Sequence, residues 1–284
     1  MVVKYDRYLS HFVKFARPHQ YNQWMAQDMT ALSFACHAGL LNKVECLLHD
    51  DRHSSHVDIN ARGLYGHTPI FHAVWSGNTA VVKVLGARSD LEWNCCDREE
   101  RPLVLLQAIH DLDLNMVGLL AQFPALDWTI KADGFPVLHI NFMWRQEAIL
   151  SGNVKEAEKR LKLFDVLLNN NNNSRTLDWN QQNKRGERLV GLALERQDVD
   201  VFILLCKIPQ LIMNPEETLA QHPALTKQSL KRCMRKLEQE QTLTGMNFSD
   251  NHAFVKSLYA GAASAASAPT EKIEKSKKSK KTKK

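Results

Sequence analysis

Long hydrophobic runs, catalytic signatures and regularly paired cysteines are all absent from this 284-residue sequence. No stretch reaches the roughly 20 apolar residues that a membrane-spanning helix requires, and the residues after Met1 are too polar for a secretory signal. Six scattered cysteines do not suggest a disulfide framework, so we expect free thiols in a reducing compartment and no secretion. Hydrolase, phosphate-loop, dinucleotide and zinc-protease signatures are missing, so we expect no catalysis, no cofactor and no bound metal.

An excess of charge of one sign is also missing, except in one short segment. Of the 37 basic and 31 acidic residues, eight lysines and two glutamates lie in residues 271–284, so 29 of each sign remain elsewhere. This balance argues against a large nucleic-acid footprint on the folded part. The hydrophobic fraction of 44% is sufficient for a core, so we expect most of the chain to fold.

Two markers repeat along the chain at a period near 33 residues. Ile59, Trp93 and Trp128 stand in similar four-residue contexts, at spacings of 34 and 35 residues, and Trp179 follows after 51. The second marker is a proline that opens an apolar run, at spacings of 33 and 34 residues: Pro69, Pro102 and Pro136. A period of this length holds one helix–turn–helix unit, which buries its apolar face only by stacking on its neighbours.

The best-preserved unit runs from Gly66 to Gly77 as Gly-His-Thr-Pro-Ile-Phe-His-Ala-Val-Trp-Ser-Gly and is followed by an apolar segment. A second copy runs from Thr30 to Gly39. In both copies we expect the threonine to cap the first helix and the final glycine to take the left-handed conformation that ends it.

These residues resemble the ankyrin-repeat family, whose unit has a turn ending in Gly, then Thr-Pro-Leu-His-x-Ala-Ala, and a second helix ending in Leu-Leu. The resemblance covers about residues 28–206 in five copies, of which the third and fourth depart from the pattern. It implies an all-α ankyrin-repeat solenoid: stacked helix–turn–helix units with β-turn or hairpin connections and helical caps.

Composition and the repeat pattern divide the chain into four parts, with loop insertions expected near 49–56 and 145–173. The expected parts are an N-terminal capping helix (1–27), about five repeats (28–212), a C-terminal helical cap (213–258) and a disordered lysine-rich tail (259–284). Asn214-Pro215-Glu216-Glu217 is a helix start within the C-terminal cap. We expect the repeated Trp93, Trp128 and Trp179 to pack in the core or between repeats, and Asn60, Asn94 and Asn180 to occupy turns.

The resemblance implies that a partner protein would bind on the concave face and the turn tips. Trp75 falls at a variable position of a first helix, and it either anchors a partner or packs on a neighbouring repeat; the sequence leaves both interpretations open. The predicted partner-binding residues are Tyr65, His72, Trp75, Arg98, Asp133, Lys184 and Arg185.

The leading hypothesis is a non-catalytic scaffold or adaptor, monomeric and located in the cytoplasm, the nucleus or both. The alternative is a nucleic-acid-associated or nuclear protein whose tail binds polyanions or an import receptor. Its import-like residues are Lys277, Lys278, Lys280, Lys281, Lys283 and Lys284. A third hypothesis, an enzyme with a metal at His49, His53 and His56, is weaker, because His-rich loops are more often simply polar.

Overall fold

The chain forms two compact units, Met1–Leu189 and Val190–Lys284. The computed structural model describes residues 9–11, 20, 22, 29–50, 54–63, 65–97, 101–169 and 177–266, with side chains up to residue 262. The boundary between the units falls inside the fifth predicted repeat, whereas the repeat region expected from the sequence ends at residue 212. The helices of that repeat therefore group with the C-terminal helices.

The described residues of the first unit form four helix pairs. In chain order they are α1 (Ala31–His37) with α2 (Leu41–His49), α3 (Pro69–Trp75) with α4 (Thr79–Gly86), α5 (Leu103–Asp111) with α6 (Leu114–Leu120), and α7 (Val137–Leu150) with α8 (Val154–Asn169). The first helices of the pairs, here called inner helices, pack on one another in succession, and α2 packs on α4 and α6 on α8 in the second row. This arrangement confirms the all-α repeat solenoid.

Short β-turn fingers connect successive pairs. In the clearest finger, β1 (Lys131–Ala132) pairs antiparallel with β2 (Phe135–Pro136). Asp133 and Gly134 form its tip with φ of 52° and 80°, the two positive values that a two-residue type I′ turn requires. Single bridges mark the equivalent fingers, joining Cys96 to Pro102 and Gln182 to Arg188. The predicted turn and hairpin connections are thus present.

The predicted helix ends are confirmed with one exception. Gly39 and Gly77 end their helices with φ of 67° and 71°. Thr30 caps α1, because its Oγ1 accepts the backbone N–H of Ser33 at 3.2 Å. Thr68 occupies the same position before α3, but its side chain makes no capping bond, so the expectation of a hydroxyl cap is wrong there. Pro69 at the first turn supplies the helical φ instead.

The predicted loop insertion near 145–173 is largely helical. Helices α7 and α8 have 14 and 16 residues, whereas the other helices of this unit have seven to nine. Buried arginines hold the two long helices together: Arg145 of α7 donates to the carbonyl of Ala157 in α8, and the guanidinium of Arg160 in α8 lies over the ring of Trp144 in α7. The extra residues therefore lengthen both helices and enlarge one wall of the array.

The repeated tryptophans lie between layers of the first unit. Trp93 and Trp128 are buried, and Trp179 is half-buried. The Trp93 ring lies 4.4 Å from the ring of Phe123 and the Trp179 ring 6.3 Å from that of Phe164, centroid to centroid. The packing role expected for these three residues is confirmed.

Three asparagines at equivalent positions bridge one repeat to the next. The amide of Asn60 donates to the carbonyl of Asp90 at 2.7 Å and accepts the N–H of Glu92 at 2.8 Å. Asn94 makes the same two bonds to Ala125 and Asp127, at 3.0 and 2.8 Å. Asn22 does so with His56 and Asp58, both at 2.9 Å. Asn60 and Asn94, expected only as turn residues, therefore join consecutive repeats, as does Asn22, which was not considered from the sequence.

The second unit is a helical assembly. Its helices are α9 (Leu189–Glu195), α10 (Val199–Cys206), α11 (Pro215–Gln221), α12 (Lys227–Thr244) and α13 (Ser249–Ala266). The predicted start at Asn214 is confirmed, because its side chain accepts the N–H groups of Glu216 and Glu217. Leu230, Cys233 and Leu237 of α12 are buried.

The C-terminal helix extends further than expected. Helix α13 ends at Ala266, so the boundary of the tail at residue 259 was placed several residues too early; alanine-rich sequence favours helix. Residues 267–284 lie outside the described part of the chain, as does most of the expected capping helix 1–27. Among the described residues, no helix has both the length and the hydropathy of a membrane span.

Replacing Asn94 with alanine should destabilise the first unit, because both bonds to the next repeat are lost. We expect the free energy of unfolding to fall by about 1–3 kcal/mol, measured by urea denaturation. The control is Asn115→Ala, at an exposed position of α6, which should leave stability unchanged or slightly raised. Equal losses in both variants would show that the bridge contributes nothing.

Replacing Gln197 with glycine should stabilise the second unit. Gln197 is exposed and has φ of 58° after α9, a conformation that costs a non-glycine residue about 1–2 kcal/mol. The free energy of unfolding should rise by about 1 kcal/mol, less the entropy cost of glycine. Gln239→Gly, at an exposed position inside α12, should instead lower it by about 1 kcal/mol. A decrease in both variants would contradict the prediction.

Candidate partner-binding groove

A groove of about 780 Å³ runs across the inner helices of the second, third and fourth repeats. Helices α3, α5 and α7 form its walls and floor, and the fingers before α5 and α7 form one end. We call this feature the partner-binding groove, because it is lined mainly by apolar side chains and is open to solvent.

The α3 wall is a cluster of aromatic rings. The His67 ring stacks on that of Phe71 at 4.2 Å between centroids, and the Phe71 ring lies 5.9 Å from that of Trp75. Trp75 also contacts His37 of the preceding repeat at 5.3 Å, yet 47% of its surface is exposed. The two interpretations of Trp75 are therefore compatible, since it packs on a neighbour and also faces the groove.

The opposite wall comes from the lengthened α7. Its groove-lining residues include Ile140, Met143 and Trp144, and Met143 is exposed. The guanidinium carbon of Arg160 lies 5.0 Å from the centroid of Trp144, and the ring of His110 lies 5.9 Å away. Arg160 therefore supports Trp144 in the wall by a cation–π contact.

The floor combines leucines of α5 with a hydrogen-bonded polar edge. Leu103 and Leu106 line the groove. Asp111 accepts a hydrogen bond from Nε2 of Gln107 at 2.7 Å, and its other carboxylate oxygen lies 3.0 Å from Nδ1 of His110. These polar side chains bond to one another at the C-terminal end of α5, where the apolar floor of the groove ends.

The finger end of the groove carries charge. Asp97 and Arg101 form an ion pair at 2.6 Å, whereas Asp133 is exposed at the tip of the β1–β2 finger. Nζ of Lys184 lies 4.9 Å from the centroid of Phe135. The fingers thus place both charges and aromatic rings at the edge of the groove.

The structure brings several of the predicted partner-binding residues to one region. Trp75 and Asp133 line the groove, and Lys184 contacts Phe135, which lines it too. Tyr65 is 66% exposed beside His67, with the ring centroids 5.8 Å apart. Arg185 lies in the next finger, where its backbone N–H donates to Asn183. Whether any of them contacts a partner stays a prediction.

Three parts of the site prediction need correction or lie beyond the described residues. His72 is only 3% exposed, so its expected direct contact with a partner is wrong; it faces the rings of His37 and His67 behind Trp75. Arg98 and the tail lysines lie outside the described residues. Of the histidines considered as metal ligands, His53 also lies outside them; across the described ranges, no three His, Cys, Asp or Glu residues are placed to hold a metal.

Sequence reasoning missed the contribution of the fourth repeat. Met143 and Trp144 precede or adjoin the stretch interpreted as a loop, so neither was considered as a lining residue. The signal was present, because residues 137–150 contain no glycine or proline and continue in helical periodicity. Phe135 was also missed, although it directly follows the Asp-Gly turn.

Two buried histidines are held neutral. Burial, with smaller contributions from the neighbouring His67 and His37, lowers the pKa of His72 to about 4. Burial also lowers the pKa of His139 to about 4, against the opposing effect of its bond to the carbonyl of Glu187. Because that carbonyl only accepts, Nε2 of His139 carries the proton and Nδ1 is buried without a partner.

The six cysteines are free thiols, and four of them are buried. Burial raises the pKa of Cys36 and Cys206, which keeps them protonated and unreactive. Sγ of Cys95 lies 3.1 Å from the carbonyl oxygen of Glu92, so this thiol is part of the turn.

Comparison with known proteins identifies a repeat family in the N-terminal third of the chain. The family model described as ankyrin repeats (3 copies) matches residues 3–94. This range contains the first two helix pairs and Trp75, whereas α5 and α7 lie beyond it. No curated protein matches the chain.

The buried histidines should make folding sensitive to acid. Between pH 6.5 and pH 4 the unfolded chain binds protons at His72 and His139 that the folded chain does not, so the free energy of unfolding falls as the pH falls. The loss should reach about 3 kcal/mol for each histidine, and it should be absent above pH 6.5. Urea denaturation at a series of pH values measures it.

His72→Gln and His139→Gln should each remove part of this pH dependence, and the double variant should remove both parts. Stability at pH 7.5 gives the reference for each variant, because the histidines are neutral in both states there. Unchanged slopes between pH 6.5 and pH 4 in the double variant would contradict the assignment.

Proposed function

We propose that this chain, whose residues 3–94 match the ankyrin-repeat family model, is a non-catalytic adaptor or scaffold whose partner-binding groove and fingers bind another protein. Ankyrin repeats are generally protein–protein interaction modules. The proposal adds to this general property a place on the chain, the groove between α3 and α7, and a principal anchor, Trp75.

The observation that carries the proposal is the exposure of Trp75. A tryptophan that is 47% exposed in an apolar groove can bury about 100 Å² more against a partner, which corresponds to about 2–3 kcal/mol. Its ring is already fixed by His37, Phe71 and His72, so little side-chain entropy is lost on binding. Both properties are typical of interface hot spots.

The asparagine bridges support the same proposal. Asn60 and Asn94 tie their finger bases to the next repeat, so the fingers before α3 and α5 keep their positions relative to the next repeat before a partner arrives. A preorganised surface loses less conformational entropy on binding than a flexible one.

The polar groups of the groove fit a binding surface better than a reaction site. Asp97 pairs with Arg101, and Asp111 with Gln107, so they satisfy one another instead of converging on one point where a substrate atom would react. The non-catalytic part of the proposal is based on this arrangement.

The cytoplasm and the nucleus are the proposed locations. All six cysteines are free, as expected for a protein kept in a reducing compartment. Import through the tail lysines stays a prediction from the sequence.

Capture of binding proteins from a native extract tests the proposal, using the full chain and its Trp75→Ala variant as baits. We expect at least one captured protein to bind the variant about tenfold or more weakly. Leu150→Ala is the matched control, since Leu150 is 86% exposed and is not part of the groove lining. Thermal unfolding of both variants establishes that they remain folded.

A bait lacking residues 271–284 separates the groove from the tail. The proposal expects proteins that depend on Trp75 to remain bound to this bait. If every captured protein survived Trp75→Ala, or if all were lost with the tail, the groove would not be the principal binding surface.

A further inference from the structure

Two aromatic rings at the partner-binding groove each have a cation of this chain over them, whereas the exposed ring of Trp75 has none among the described residues. Lys184 lies over Phe135 at 4.9 Å, and Arg160 lies over Trp144 at 5.0 Å. Over the ring of Trp75, the described part of the chain supplies no lysine or arginine. Tryptophan is the side chain that attracts cations most strongly, so its exposed surface is a suitable place for a cation from outside.

The charge of the groove lining is negative, although the chain as a whole has a net charge of +6. Asp97 and Arg101 neutralise each other at 2.6 Å. Asp111 accepts from the neutral amide of Gln107 and lies 3.0 Å from Nδ1 of His110, and Asp133 is exposed with no ion pair to any described residue. Lys184 at the edge reduces this negative charge without reversing it. The groove therefore favours a cationic ligand.

The lining between these charges is apolar. Leu103 and Leu106 come from α5, and Ile140 and Met143 from α7; all four are partly or fully accessible. A ligand that fills this part must present an apolar side chain. An open groove that crosses three repeats suits an extended or helical peptide segment, because such a segment can present an apolar side chain and a charged one together.

We propose that the partner-binding groove binds a segment of a partner protein that carries an apolar side chain and a nearby lysine or arginine. The apolar side chain packs on the leucines of α5 and on Met143, and the cation lies against Trp75, which ends its helix as Asp111 ends the neighbouring α5, while Asp133 adds negative charge at the finger end. This inference depends on the proposed function and adds to it the chemical class of the partner. An acidic segment is disfavoured, because it would bring like charges next to both aspartates.

Selection of random 12-residue peptides displayed on phage, with the full-length chain as target, tests the proposal. Selected peptides are synthesised with a fluorescent label, and their Kd values are measured by fluorescence polarisation. Peptides that lose about tenfold or more in affinity with Trp75→Ala are taken as groove ligands. We expect these ligands to carry a net positive charge and at least one large apolar residue.

The double variant Asp111→Asn, Asp133→Asn tests the counter-charges directly. Asparagine keeps the size of both side chains and tolerates the positive φ of residue 133. Groove ligands should bind this variant about three- to tenfold more weakly, and the loss should shrink in high salt. Asp165→Asn, at an exposed position of α8, and Leu150→Ala should leave the Kd unchanged.

The outcomes separate this inference from the proposed function. Groove ligands that are neutral or acidic, or that bind the double aspartate variant as well as the wild type, would overturn the cationic specificity and leave groove binding in place. Peptides that never depend on Trp75 would overturn both proposals. If removal of residues 271–284 tightened groove binding about tenfold, the tail lysines would be the occupant and the assignment to a partner protein would be wrong.

Discussion

The first unit depends on one repeated hydrogen-bonded link, the asparagine that joins a finger base to the following repeat. Each such side chain donates to one backbone carbonyl and accepts one backbone N–H of the next repeat. Because both bonds are to the backbone, the link does not depend on which side chains surround it. The inner-helix and finger residues can therefore vary while the spacing of the repeats is kept.

Because the links between repeats and the groove-lining side chains are different residues, the groove can differ from a regular array. Trp93 and Trp128 are buried at equivalent positions of successive repeats, so the packing there is similar from one repeat to the next. The fourth repeat departs from the others by lengthening α7 and α8, which needs the buried Arg145 and Arg160 to hold the added turns. The longer α7 extends one wall of the groove and leaves the asparagine links at the finger bases unchanged.

The repeat architecture could be predicted from the sequence because its signals are local and recur. Gly39, Gly77 and the Asp-Gly turn each specify a backbone conformation that few other residues adopt. The inter-repeat bonds of Asn60 and Asn94 could not be predicted, because their partners lie about 30 residues away and are backbone groups without a sequence signature. The burial of His72 follows from packing against His37, which helical periodicity alone does not reveal. The groove wall at Trp144 was missed because a length irregularity in a repeat was interpreted as a loop.

Arg160 has a consequence for how the fourth repeat can change over evolution. This one side chain bonds to Glu156, contacts the carbonyl of Ile109 at the end of α5, and supports Trp144. Three positions on three helices therefore share a single buried charge. Glu156 and Trp144 contact Arg160 through their side chains, so variation at these three positions should be correlated, whereas Ile109 contributes only a backbone carbonyl and its side chain is not constrained by this contact.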